Sequence, residues 1–211
     1  SNVKLNSNNN KTIVNAGLRA NYIDKFNKFS LEPRLSVYQK LNNGFAVEAL
    51  GELKSQTTTQ RIDFESDFLG IEKRRWILSD DNEVPIIKSR QVSIGLIYNH
   101  KDWFINMEGF YKNITGITTA NQGFQNQFQN VRVAGEYRVS GLEFSLNKKM
   151  NAFSAWFSYV YMNNNYTFDE LVPSSFPNNI DIRHSATIAG TYTHKQFKLA
   201  IGIDWHTGKP Y

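Results

Sequence analysis

The stretch "AFSAWFSYVYMNNNYTF", from Ala152 to Phe168, decides how the rest of the chain is read. Its odd positions are Phe153, Ala155, Phe157, Tyr159 and Tyr161, a column of large apolar and aromatic side chains. Its even positions are Ser154, Trp156, Ser158, Val160 and Met162, a mixed and hydroxyl-rich set. Side chains of an extended chain alternate between two faces. The segment is therefore a strand with one face suited to hydrocarbon and one suited to water. Asn163, Asn164 and Asn165 follow and mark where it leaves the apolar environment.

The same alternation recurs along the chain, and helical periodicity is nearly absent. Nine strands are predicted, at about 11–22, 29–40, 44–57, 88–98, 102–115, 132–147, 152–166, 182–193 and 197–207. Several reach 12 residues or more. That exceeds the usual globular strand of about 5–6 and suits a tilted membrane strand, which needs about 9–11. The chain holds 15 Phe, 10 Tyr and 4 Trp, and these residues favour strands. Many sit near predicted strand ends (Tyr22, Tyr98, Trp103, Tyr159, Tyr161, Tyr192, Trp205), where interfacial girdles would lie.

The connections alternate in length. "LNNG" (41–44), "NHKD" (99–102), "NKKMN" (147–151) and "HKQ" (194–196) are short, while 58–87, 116–131 and 167–181 are long. Short turns at one end and long loops at the other fit an antiparallel up-and-down meander, part of a large transmembrane β-barrel. Hairpin register supports it. Around "NHKD", Tyr98 is read opposite Trp103, Leu96 opposite Ile105 and Ile94 opposite Met107. Around "NKKMN", Leu146 is read opposite Phe153, Phe144 opposite Ala155 and Leu142 opposite Phe157. Around "HKQ", Ile188 is read opposite Ile203, Gly190 opposite Ile201 and Thr187 opposite Asp204. In each hairpin one face is apolar, and a one-residue slip would invert it. Pro33 lies inside a predicted strand and has no ladder donor, so a bulge or break is expected there.

Composition narrows the rest. The 211 residues carry a net charge of +5, but Lys and Arg are scattered, so no nucleic-acid face is expected. With no cysteine there is no disulfide framework and no thiolate metal site. No stretch is apolar enough for a transmembrane helix. Residues 1–10 are read as a cleaved-tag scar with a flexible segment, and 11–211 as one incomplete barrel domain without a plug.

Eight strings stand in an order that resembles the C-terminal half of the barrel of TonB-dependent outer-membrane receptors, in the form common in Bacteroidetes. They are "LEPRLSVYQKL" (31–41), "LGIEKRRWIL" (69–78), "VPIIKSRQVSIGLIY" (84–98), "WFINMEGFYKNITGI" (103–117), "VSGLEFSLNKK" (139–149), "WFSYVYMNNNYTF" (156–168), "FPNNIDIRHSATI" (176–188) and "DWHTGKPY" (204–211). The resemblance implies a large barrel plugged by an N-terminal domain, which binds a scarce solute outside and imports it with energy passed through TonB. It further implies outer-membrane lipid as surroundings and a siderophore, vitamin, glycan or peptide as cargo. Nine strands and no plug make this chain a part of such a wall.

Candidate site residues follow from side-chain chemistry. Arg74, Arg75 and Trp76, in the long 58–87 connection, suit an anionic or planar solute, because guanidinium forks and aromatic faces grip such groups. Phe124 and Phe128, among Gln and Asn, suit a sugar or peptide. Asp181, Arg183, Asp204 and His206 are expected as a polar network at the outer rim, facing the lumen. Alternation sends His184 and Ser185 of "DIRHS" to opposite faces, which argues against a hydrolytic triad. His184 and His206 diverge in the same way, so no metal is expected. No catalytic group and no cofactor are assigned. A passive pore or adhesin barrel and a soluble glycan-binding β-sandwich stay open beside the receptor reading.

Overall fold

The computed structural model describes residues 1–63, 73–80, 84–119, 133–178 and 180–210. They form one large antiparallel sheet and a separate two-stranded hairpin. The strands are β1 (Asn2–Asn6), β2 (Thr12–Ile23), β3 (Lys28–Lys40), β4 (Phe45–Gln56), β5 (Thr58–Asp63), β6 (Lys73–Leu78), β7 (Ile87–His100), β8 (Trp103–Thr118), β9 (Ala134–Met150), β10 (Phe153–Thr167), β11 (Ser175–Pro177), β12 (His184–His194) and β13 (Phe197–His206). The main sheet runs β1-β2-β3-β4-β7-β8-β9-β10-β12-β13, with β11 added on β10, and β5 and β6 make a separate hairpin. Neighbours in the sheet are neighbours in sequence apart from the β5–β6 and β11 excursions, as an up-and-down meander requires.

All nine expected strands are present, and four more join them. β1 pairs Val3 with Ala16 and Leu5 with Val14. Residues read as a flexible segment thus supply an edge strand, because Val3 and Leu5 alternate with Asn2, Lys4 and Asn6 as the rest of the sheet does. The 58–87 connection contains the β5–β6 hairpin, and the 167–181 loop contains β11.

Two hairpin registers differ from those expected. At "NHKD" Tyr98 faces Ile105 and Leu96 faces Met107, because His100 pairs with Trp103 and the turn tightens to Lys101–Asp102, with Lys101 at φ 53. At "NKKMN" Leu146 faces Phe157 and Met150 faces Phe153, so β9 runs straight through Asn147, Lys148 and Lys149. The lysines stay extended because alternation sends them to different faces. The Lys148 ammonium settles over the Trp103 ring, 4.4 Å from its centroid. Both shifts are even in residue count, so every side chain keeps its expected face. The "HKQ" hairpin has the expected register, Ile188 on Ile203 and Thr187 on Asp204. At Pro33 the strand continues against β2, but pairing with β4 stops at Arg34, one residue earlier, as a missing N–H requires.

One face of the layer carries a continuous apolar band across its strands. A single cross-strand row runs Phe45, Tyr98, Ile105, Leu146, Phe157, Ile188, Ile203 over seven strands. A second runs Leu5, Val14, Val37, Ala49, Ile94, Gly109, Leu142, Tyr161. These side chains have no second sheet over them: Ile188 is 57% exposed and Ile203 63%. A β-sandwich would bury them, so that reading is excluded. The accessible surface is 14480 Å². A compact monomer of this size would expose about 10,000 Å². The excess is the signature of a layer one strand thick.

Aromatic pairs border the apolar face. At the short-turn end Phe45 lies 4.7 Å from Tyr98 and Phe153 lies 4.6 Å from Tyr192, centroid to centroid. At the long-loop end Tyr22 lies 4.9 Å from Phe29, and Tyr161 packs 5.3 Å from the His184 ring. Amphipathic rings at both edges of an apolar band are what a membrane-spanning wall requires.

Candidate functional site

The polar face and the rim above it carry the candidate groups. Across the middle of that face one row reads Tyr38, Glu48, Gly95, Glu108, Glu143, Val160, Ser185, His206. Towards the long-loop end the next such rows include Arg34 opposite Glu52 and Gln91 opposite Lys112. The face is thus a surface of carboxylates, cations and hydroxyls, suited to water and to a polar occupant.

Glu32 is its best-fixed charge. It is 6% exposed, and its Oε1 accepts from the Ser55 hydroxyl at 2.6 Å, the Ser55 N–H at 3.2 Å and Asn21 Nδ2 at 3.0 Å. The Arg19 guanidinium stands 3.7 Å from its other oxygen. Glu32 sits beside the Pro33 break, where the β3–β4 ladder ends, and its carboxylate takes up a backbone donor there. Sequence reading missed it, although an acid beside a strand proline was the available signal.

The rim holds the sheet's one packed cluster among the described residues. Ile117, Val133, Tyr166, Phe168 and Leu171 are buried, and Ile114, Tyr137 and Phe176 pack on them. A β-bulge at Gly116, φ 78, shifts the register after Thr115. The extra residue turns Ile117 toward the cluster. Gly135 leaves room for Phe168, since a Cβ there would collide with that ring. Phe168 and Phe176 stack at 6.1 Å, which closes the loop that carries β11 onto β10. Burial pushes the Tyr137 phenol up. Tyr166 is pushed up to about 12, first by burial and then by Tyr137, with an Asn178 hydrogen bond pulling the other way.

Of the expected rim network, one half forms. Asp181 is 3% exposed; its Oδ1 accepts the Asn164 N–H at 2.9 Å and its Oδ2 accepts from Arg183 Nη2 at 2.8 Å. The Arg183 side chain is 37% exposed, so this bridge joins a buried carboxylate to a half-exposed guanidinium at the rim. Residue 183 precedes the first residue of β12, so strand alternation does not fix its direction. Asp204 and His206 stand apart on β13. Asp204 Oδ1 accepts from the Thr187 hydroxyl at 2.6 Å, and His206 Nδ1 lies 2.9 Å from the Thr207 carbonyl.

The other candidates distribute as follows. Trp76 on β6 is paired in register with Gln60 on β5 and is 65% exposed. Arg75 is the next residue on the strand and takes the opposite face. The two therefore do not close on one planar ligand from a single side. The Arg74 side chain, Phe124 and Phe128 lie outside the described residues. His184 Nδ1 meets the Tyr159 hydroxyl at 2.8 Å on the outward face, whereas Ser185 is in register with Val160 on the polar face. Ser185 and His184 therefore do not form a nucleophile–base pair. Among the described residues, no three His, Asp or Glu side chains gather as a metal site would require.

Residues 2–211 match the family model described as TonB dependent receptor-like, beta-barrel. The chain belongs to this family. Among solved structures it is similar to the FrpB iron transporter from Neisseria meningitidis (F3-3 variant), at 18% identity and a TM-score of 0.61. The likeness covers 91% of this chain and 30% of that one, so the chain spans under a third of the length of the barrel protein it matches. At that identity the match speaks for the fold. No curated protein matches the chain.

Proposed function

We propose that this chain is part of the barrel wall of an outer-membrane TonB-dependent receptor, of the form common in Bacteroidetes, which captures a scarce solute and imports it. The observation that supports this best is the uninterrupted apolar row from Phe45 to Ile203, backed by the polar row from Tyr38 to His206 on the other side. A lipid-facing wall around a watery interior needs both. The open edges at β1 and β13 are where further strands of a closed barrel would pair, since unpaired edge donors and acceptors in a bilayer cost several kcal/mol each.

On this reading the rim cluster and the β5–β6 hairpin are external structures that shape solute entry, with Trp76, Arg75 and Arg74, and Phe124 and Phe128, as loop contacts. Asp181, Arg183, Asp204 and His206 set the polarity of the rim and the upper lumen. The solute class is a siderophore, vitamin, glycan or peptide, and TonB acts through the plug region of the parent receptor. The test uses the parent protein in its host. Its fractionation with the outer membrane, and solute-dependent growth lost on removing either the parent gene or TonB, support the proposal. Growth that persists without TonB would assign the wall to a passive pore, and recovery in the soluble fraction would overturn the membrane reading.

A further inference from the structure

The outward face changes from apolar to polar at its long-loop end. The outer positions Val92 on β7 and Tyr111 on β8 are apolar or aromatic, as is Leu142 on β9, which Ser140 separates from Arg138. Beyond them Arg90 faces Asn113, and Asn113 faces Arg138, in one cross-strand row. Two strand spacings place the Arg90 and Arg138 backbones about 10 Å apart, within reach of one another's guanidinium groups. Lys88 follows on the same face of β7. Lys88 and Arg90 are exposed, and the Arg138 side chain is 55% exposed. Glu136 holds Arg138 by a short ion pair and accepts from Asn113 Nδ2 at 3.1 Å, which ties the row together. Lys88, Arg90 and Arg138 outnumber that single carboxylate. None of the ion pairs among the described residues takes Lys88 or Arg90.

The opposite border of the apolar band differs. There the outward strand cation is Lys148, which lies on the Trp103 ring. Among outward strand positions, Lys88, Arg90 and Arg138 thus gather past the hydrocarbon-facing side chains of the long-loop end, where lipid headgroups would sit.

We propose that Arg90 and Arg138, assisted by Lys88, form a site on the outer wall for the phosphate headgroup of an anionic lipid in the leaflet at the long-loop end. The inference rests on the membrane-wall reading above. Guanidinium forks match phosphate oxygens bidentately, and such charge-assisted bonds are the strong ones. The occupant is a lipid and not free phosphate because Val92, Ile94, Tyr111 and Leu142 continue the site as a wall for acyl chains.

The test takes the full-length parent receptor in phosphatidylcholine nanodiscs doped with phosphatidic acid, with retained lipid read by native mass spectrometry. Wild type is expected to retain phosphatidic acid about tenfold over phosphatidylcholine, in line with two charge-assisted contacts. The R90A/R138A variant should lose that preference, Arg90→Lys should keep part of it, and Lys148→Ala should keep all of it. Arg90→Gln alone serves if the double variant does not fold. Equal retention in wild type and in the folded arginine variants would overturn the site. Release of phosphatidic acid by matched inorganic phosphate would overturn the lipid as occupant. Failure of the membrane reading would look different: the parent would not enter nanodiscs of any composition.

Discussion

Glu108 on β8 stands directly opposite Glu143 on β9, both on the polar face, with Glu48 in the same row one strand beyond Gly95. Like charges directly opposite in an antiparallel pair repel, where an unlike or neutral pair would contribute roughly 0.2–1 kcal/mol. Glu143→Gln is therefore expected to stabilise the folded wall by about 0.5 kcal/mol at low salt. The gain should shrink in about 1 M salt, where the Debye length falls to about 3 Å. Urea titrations of the detergent-folded parent at the two salt levels check both. A destabilised variant would show that the carboxylate makes a favourable contact with something in the lumen.

Tyr166 supplies a pH prediction. Its phenol is pushed up to about 12 from 10.0, chiefly by burial. The folded rim thus prefers the neutral phenol, and the preference is complete below pH 10, the unfolded value. It declines as pH rises through about 12, so the rim should loosen in that interval. Tyrosinate absorbance should show one late-titrating group, absent in Tyr166→Phe, which keeps the ring packing on Phe168 and Phe176. A Tyr166 that titrates at the ordinary phenol value would mean the cluster is open to water.

Phe168 is fully buried at the centre of that cluster. Truncation of a buried Phe to Ala costs about 3–5 kcal/mol. The cluster is local to the rim, so Phe168→Ala should raise amide exchange in residues 164–178 and leave β12 and β13 protected. Gly135→Ala should act in the same direction, since its Cβ would meet the Phe168 ring. Uniform loss of protection across the sheet would show that the rim holds the wall together as well as the loop.

Alternation made the faces legible before any coordinates, because a strand's period of two leaves no freedom once one side is apolar. It set Phe157, Ile188 and Ile203 on one side and Ser158, Thr187 and Asp204 on the other. It set register at "HKQ" but not at "NHKD" and "NKKMN", where partners lie two and four residues from those expected because the turns tighten to Lys101–Asp102 and Asn151–Ala152. The rim was the least legible part. Its packing depends on a bulge at Gly116 and on Phe168 meeting Phe176 across a loop, contacts with no period to reveal them. Arg183 precedes the first residue of β12, so it has no strand parity to inherit.

The outward row can be tested at one position against its back. Ile188 faces out, 57% exposed, and its neighbour Thr187 faces the polar side with its hydroxyl on Asp204. If the outer face meets lipid, Ile188→Lys should cost about 2–4 kcal/mol, the penalty for a charge near the midplane of a barrel wall. Thr187→Lys adds the same charge one residue away, opposite a carboxylate and in contact with water, and should change stability by under about 1 kcal/mol. Folding the parent and its two variants into phosphatidylcholine vesicles, scored by the heat-modifiable shift of folded barrels on gels, compares them directly. The asymmetry should vanish in urea-free aqueous buffer without lipid, where neither face meets hydrocarbon. Equal tolerance of lysine at both positions in vesicles would mean that the row from Phe45 to Ile203 is covered by protein, and the wall would need a second layer.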